Sequence, residues 1–348
     1  MTLYPNLILD ALRHVKYPAT GQDIVSAGMV ADNLRIQGNS VWLSLQLRPN
    51  DPLGKSLVKA CEQAILTYID PSIDICGHIN ILTQATQQQA SKESPMDHIK
   101  YKIAISSGKG GVGKSTVSSN LAVALAMQGY KVGLLDADIY GPSLPKMFGL
   151  EDERPVADEQ GRIVPIEKYG VKLLSIGFFV DPESAIVWRG AMASNAIKQL
   201  IEEATWGDLD YFLIDLPPGT GDIHLTLVQN IRLDGAIVVS TPQQVALSAA
   251  IKGIDLFRND KVNVPILGII ENMAWFTPAE LPDNKYYLFG KEGAKRLCEA
   301  RNIPLLGQIP IVQSICDAGD DGKPDVLSNE IIAQAFEHII KKTIFATK

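Results

Sequence analysis

Between the apolar run Lys102–Ser106 and the helical run Val117–Met127 lie ten residues, Ser107-Gly108-Lys109-Gly110-Gly111-Val112-Gly113-Lys114-Ser115-Thr116. They satisfy the pattern G-x-x-x-x-G-K-[ST]. Glycines let the backbone curl so that successive N–H groups face phosphate oxygens, and the positive end of the following helix adds to the attraction. The device works only where a strand delivers the loop to a helix, so these residues predict a strand, a loop and a helix in that order. Within it, Lys114 is placed to hold the β- and γ-phosphates of a nucleotide and the Ser115 hydroxyl to ligate Mg²⁺. Gly108, Lys109, Gly110, Gly111, Val112, Gly113 and Thr116 complete the cradle.

Two further acidic positions belong with this loop. Asp136 and Asp138 follow the run Lys131–Leu135, and Asp215 ends the run Tyr211–Ile214 before Leu216-Pro217-Pro218-Gly219-Thr220-Gly221-Asp222. In a parallel sheet the C-terminal ends of the strands form one rim, so these carboxylates are expected to face the loop from neighbouring strands. Asp215 is assigned to the Mg²⁺ shell through water, and Asp138 to orienting the attacking water or its metal. For a single Asp at a strand end, a helix N-cap is an equally good reading. Two of them beside a phosphate loop favour the metal.

The remaining runs extend this pattern. Lys172–Ile176, Ala236–Val239, Ile266–Ile270 and a late Leu305–Ile309 are apolar without alternation, and helix-length segments separate them. Such runs predict strands covered on both faces, hence an α/β fold: a mostly parallel sheet with helices on each side. Residues 84–97, QATQQQASKESPMD, carry too little apolar surface to offset their ordering entropy and read as a linker. Before them, Leu3–Val15 and Leu57–Ile69 have helical spacing, and Val41, Leu43, Leu45 and Leu47 alternate as a half-buried strand. The expected division is a small α+β domain over 1–83, a linker over 84–97 and an α/β phosphate-loop domain over 98–348.

Composition excludes several classes. The four cysteines, at 61, 76, 298 and 316 of 348 residues, form no C-x-x-C pair and no zinc-type spacing, which excludes a disulfide scaffold and fits a reducing compartment. A formal net charge of −7 argues against a nucleic-acid partner. No apolar run reaches the roughly 18 residues of a spanning helix, and Asp10 interrupts what would be a signal-peptide core. A cytoplasmic protein with no stable membrane insertion is expected.

Lys109 extends the loop to K-G-G-x-G-K-[ST], which resembles the deviant Walker A motif of the MinD/ParA/nitrogenase-iron-protein class of dimeric ATPases. Within that class SSGKGGVGKST, LLDADIYGPS, VWRGAM and YFLIDLPPGTGD resemble, in order and over about residues 100–340, the Mrp (ApbC-type) iron-sulfur cluster carrier ATPases. Residues 8–70, with GQDIVSAGMV, look like the PaaD-like domain that often precedes them. The resemblance implies Mg²⁺-dependent ATP hydrolysis, a homodimer with two nucleotides facing across the interface, and transfer of iron-sulfur clusters to apoproteins. It implies that Lys109 reaches into the partner's site to neutralise developing charge, as an arginine finger does. It also implies that Asn272 reads the adenine, whose edge a side-chain amide can match.

Here the chain departs from its relatives. They usually follow E-N-M with a C-x-x-C pair, two of which hold one bridging cluster in the dimer. This chain has Glu271-Asn272-Met273-Ala274-Trp275-Phe276-Thr277-Pro278-Ala279-Glu280-Leu281, and Thr, Pro and Glu do not replace soft thiolates. Its small domain has Lys16-Tyr17-Pro18-Ala19 and Asp51-Pro52-Leu53 where relatives commonly have D-P-E and a Cys before Pro-Leu. Cys298 and Cys316 are left as candidate cluster ligands across a dimer interface, against the ordinary role of an isolated cysteine as a small buried hydrophobe. The alternatives are an ATPase of this type that has lost cluster binding and a MinD/ParA-like partitioning or regulatory ATPase. The C-terminal stripe of Ile331, Ile332, Ala335, Phe336, Ile339 and Ile340 reads as a core-facing helix, with Lys341, Lys342 and Lys348 available to a membrane surface. A metabolic kinase would need a substrate lid, to which nothing in the sequence points.

Overall fold

The computed structural model describes residues 3–347, apart from 19–20, 32–33, 48–52, 84–95, 180–189, 222–223, 225–226, 229–230 and 261. Most of the expected linker, the V-W-R of VWRGAM, Ala19, Asp51, Pro52 and Asp222 therefore lie outside the described residues. Contacts divide the chain into two compact units, Met1–Lys92 and Glu93–Lys348.

The first unit contains α1 (Pro5–Leu12), β1 (Arg35–Gln37), β2 (Ser40–Leu47), α2 (Gly54–Tyr68) and β3 (Ile79–Thr83). Strand β2 pairs antiparallel with β1 and parallel with β3. The alternation expected of Val41, Leu43, Leu45 and Leu47 is what places them on one face. They are buried in a single cluster with Ile8 and Leu12 of α1 and Leu57, Cys61 and Ile65 of α2.

In the second unit come β4 (Ile99–Ser107), α3 (Lys114–Met127), β5 (Val132–Asp136), α4 (Leu144–Met147), β6 (Ile166–Lys168), β7 (Val171–Ser175), α5 (Gly190–Glu202) and β8 (Leu209–Asp215). They are followed by β9 (Gly235–Ser240), α6 (Gln244–Arg258), β10 (Ile266–Glu271), α7 (Gly293–Arg301), β11 (Leu305–Gln308), α8 (Gln313–Asp320) and α9 (Glu330–Thr347). The strands form one sheet in the order β11-β10-β9-β4-β8-β5-β7-β6. Its pairs are parallel except β6 with β7 at the edge.

Successive side chains along a strand point to opposite faces, so each central strand feeds two cores. Ile103 and Ile105 of β4, Leu134 of β5 and Leu213 of β8 pack with α3 and with Phe336 and Ile339 of α9. Ala104, Leu135 and Ile214 turn the other way, onto Ile197, Leu200 and Ile201 of α5 and Trp206. This explains why the runs lacked alternation. Helix α3 buries every residue from Val117 to Leu125, its apolar side chains in the core and its Ser118, Ser119 and Asn120 side chains hydrogen-bonded. Of the expected C-terminal stripe, Ile332, Phe336, Ile339 and Ile340 are fully buried and Ala335 half-buried, whereas Ile331, in the first turn, is exposed and does not face the core. Among the described residues no helix is long and apolar enough to cross a membrane.

Candidate functional site

Strand β4 lies between β9 and β8, and β5 lies beyond β8. This order brings the phosphate loop, Asp215 and Asp136 to one rim, the register pairing Ile105 with Asp215 and Asp215 with Asp136. The loop keeps its shape through Gly111 and Gly113, whose φ values of 78° and 79° are left-handed and favour glycine. Gly108 is required for a different reason. A Cβ there would lie 2.1 Å from the backbone carbonyl carbon of Ala249, so glycine lets the loop approach α6. Ser107, Lys109, Gly110, Gly111, Val112, Gly113, Lys114, Ser115, Thr116, Asp138, Ser143, Met147 and Pro218 line the cleft above the loop.

Asp215 is fully buried and carries a dense set of donors. Lys114 Nζ lies 2.7 Å from its Oδ2. The Ser115 hydroxyl donates to the same oxygen at 2.6 Å, and the Ser118 hydroxyl to Oδ1 at 2.6 Å. Charge-assisted bonds of this kind are the stronger class, and a charge with 0% exposure requires them. Lys114 Nζ also lies 4.0 Å from Asp138 Oδ2, so one ammonium faces both carboxylates. Asp138 Oδ1 is buried without a hydrogen-bond partner among the described residues, an acceptor on the cleft wall suited to a hard cation or its water. Burial holds the Asp138 carboxyl above the usual carboxylate range, with Lys114 opposing the shift and Asp215 adding to it.

Sequence reasoning left Ser118 and the structural part of Asp136 unassigned. Ser118 is one helical turn beyond Ser115, and that spacing was the available signal. Asp136 accepts from the backbone N–H of Asp138 at 3.1 Å, from that of Leu144 at 3.3 Å and from the Ser175 hydroxyl at 3.0 Å. It thereby ties both ends of the loop carrying Asp138 to β5 and β7. Burial first and the Asp215 charge second push its carboxyl up to about 7. His224 is buried just after the Pro-Pro-Gly turn, its Nε2 without a partner among the described residues; burial depresses its pKa, the Pro217 carbonyl opposes this, and Lys114 adds to it.

Asn272 follows β10 and donates from Nδ2 to the carbonyl of Val112 at 2.9 Å. Beyond Met273, which takes a left-handed φ of 57°, Phe276 and Tyr286 exchange backbone bonds of 2.9 and 2.8 Å and close a hairpin. It encloses Thr277–Asp283, where the resemblance implied a cysteine pair and this chain has none. Leu281, Tyr286, Tyr287 and Leu288 are exposed there, and Lys285 Nζ stands 3.9 Å over the Trp275 ring.

The two cysteine candidates are not brought together. Cys298 is buried in an apolar cluster with Leu247, Ile254 and Ile269, and burial, reinforced by Glu271 and Glu299, pushes its thiol up to about 12. This is the setting of a cysteine that serves as a small buried hydrophobe. Cys316 lies on α8 and is exposed. Among the described residues no three His, Cys, Asp or Glu side chains are grouped to hold a metal ion.

With the geometry in place, comparison decides the family. The family described as ParA, the NUBPL iron-transfer P-loop NTPases, matches residues 98–344. The chain belongs to this family. A second family, described as iron-sulfur cluster assembly protein, matches residues 6–70 within the first unit. An iron-sulfur cluster carrier protein of Synechocystis is 41% identical over 96% of this chain and 94% of its own length. One from Haemophilus influenzae is 48% identical over 97% and 90%. Among solved structures, a nucleotide-binding protein of Archaeoglobus fulgidus in complex with ADP is 37% identical, with a TM-score of 0.61 over 69% of this chain and 94% of its own. The cell-division ATPase MinD of Pyrococcus furiosus follows at 25% identity and a TM-score of 0.52, over 70% of this chain and 98% of its own. The NTPase family match lies within the second unit, and the two cluster carriers match both units of the chain.

Proposed function

We propose that the protein is a Mg²⁺-dependent ATPase that carries iron-sulfur clusters and passes them to apoproteins as a homodimer. The observation that carries the reading is the Lys114–Asp215–Ser115 cluster beneath the phosphate loop. The likeness to cluster carriers extends over 96% of the chain, the small unit included.

In this reading loop N–H groups and Lys114 bind the β- and γ-phosphates, and Ser115, Asp138 and Asp215 hold the magnesium ion. The unpaired Oδ1 of Asp138 and the oxygen-only donor set fit a hard cation. The ion, when bound, neutralises charge on the phosphate oxygens. Asp138, held by Asp136 through its backbone N–H, orients the attacking water. Lys109, half-buried at the loop's edge, reaches the site of the second copy. The cluster is cargo. Since Cys298 is buried, Cys316 is the exposed cysteine of Glu93–Lys348, as Cys76 is of the first unit, and two copies would offer one Cys316 each.

Lys114→Ala is expected to abolish ATP binding in calorimetry and hydrolysis in a phosphate-release assay; retention of either within threefold refutes the site. Anaerobic reconstitution followed by absorption spectroscopy tests the cargo. The wild type should gain the visible absorption of a cluster and Cys316→Ser should lose it, whereas a colourless wild type refutes the carrier reading.

A further inference from the structure

Asn272 is tied in place on every side. Its backbone N–H donates to Ser240 of the neighbouring strand at 2.8 Å, and the preceding Glu271 carboxylate accepts from the N–H of Ala294 at 2.7 Å, pinning the end of β10 to the start of α7. The residue after it turns away in the left-handed region, and the N–H of Ala274 donates to Ile309 at 2.9 Å. A side chain 5% exposed thus projects from a rigid post into the phosphate loop.

There it donates to the carbonyl of Val112 across 160 residues of sequence. The fit is close, since a Cβ on Gly113 would lie 2.3 Å from the same nitrogen. A trans peptide sets its C=O and N–H on opposite sides, so holding the Val112 carbonyl toward Asn272 turns the Gly113 N–H away from it. Two residues that line the cleft, Val112 and Gly113, are thereby set by one amide.

We propose that Asn272 is a positioning residue that braces the phosphate loop through Val112 and so acts on the polyphosphate part of the ligand. The proposal rests on the reading of residues 107–116 as a nucleotide phosphate site. Asparagine suits the task because its amide donates to a carbonyl, whereas an aspartate of the same shape would place a second acceptor against it.

The test uses the full chain, as wild type, Asn272→Ala and Asn272→Asp, with calorimetric binding of ATP, GTP and inorganic tripolyphosphate in the presence of Mg²⁺. The loss of a buried bond that leaves a carbonyl unpaired is expected to weaken all three ligands by one common factor, on the order of tenfold. Amide hydrogen exchange at residues 111–114 of the free protein is expected to quicken in both variants. Asn272→Asp keeps the side chain's size and an acceptor for adenine's amino group, so it separates the roles even where Asn272→Ala folds poorly. Weakened ATP binding with unchanged tripolyphosphate binding would make Asn272 a reader of the base and overturn the brace. Unchanged binding of all three would overturn it equally. A wild type that binds neither ATP nor tripolyphosphate would instead refute the phosphate-site reading beneath it.

Discussion

At the end of the phosphate loop side chains are tied to one another, whereas in the hairpin closed by Phe276 and Tyr286 it is the backbone that is tied. Lys114, Ser115 and Ser118 converge on one buried carboxylate. Eight residues beyond Asn272, by contrast, Glu280 and Leu281 stand exposed on a frame held by Phe276–Tyr286 and by the Ile311 N–H on the Trp275 carbonyl. The difference teaches where residue identity is fixed by chemistry and where only the path of the chain is fixed. A phosphate site needs particular donors at particular points, so each loop residue is constrained. The hairpin keeps its course although the segment after Asn272 carries Thr277, Pro278 and Glu280 and no cysteine.

That contrast can be broken, most forcefully at Gly108. Gly108→Ala would drive a Cβ into the Ala249 backbone, which can yield only by moving α6. The expected cost is about 1–3 kcal/mol or more, read as a lowered urea midpoint. Gly110→Ala, two residues on with nothing within 4 Å of the added carbon, should stay within about 0.5 kcal/mol of the wild type. Equal effects at the two positions would remove the claim that packing sets Gly108.

A smaller effect is expected at Asp136. Its carboxyl titrates at about 7 in the folded chain against 3.8 as its ordinary value, so between those values the folded state holds a proton that the unfolded state has released. Its contribution to stability is therefore present below about pH 4 and lost as pH rises through about 7. Thermal midpoints recorded from about pH 4 to about pH 8 should show this downward contribution in the wild type and its absence in Asp136→Asn. Identical profiles would contradict it. The smallest effect belongs to the hairpin. Lys285→Ala removes the ammonium from the Trp275 ring and should cost about 0.5–1 kcal/mol, with ATP affinity unchanged. A fall in ATP affinity there would mean that the two regions are not built independently.

The fold was legible because burial on both faces erases alternation: Ile103, Ala104 and Ile105 read as one apolar run although they feed different cores. Edge strand β6 escaped notice for the opposite reason, as Ile166-Glu167-Lys168 buries little and repeats nothing. The loop and its carboxylates were legible because their spacing is set by a ligand. Asn272 was legible as a site residue only through resemblance, since nothing local to a strand end says that its partner is Val112. Nor does spacing distinguish Cys298 from Cys316. What separates them is the apolar cluster around α7, which long-range packing creates.

The strand order has a consequence for how the molecule is made. Strand β4 leaves the ribosome early but has β8 and β9 as its neighbours, and Val112 waits for Asn272, 160 residues downstream. Even the first turns of α3 are finished late, when the N–H of Val326 reaches the Asn120 side chain across 206 residues. Contacts so distant in sequence make folding slow, because loop closure must be met before the contact rewards it. A nascent chain therefore carries its phosphate loop without the partners that shape it until residues as distant as Asn272 and Val326 have been made.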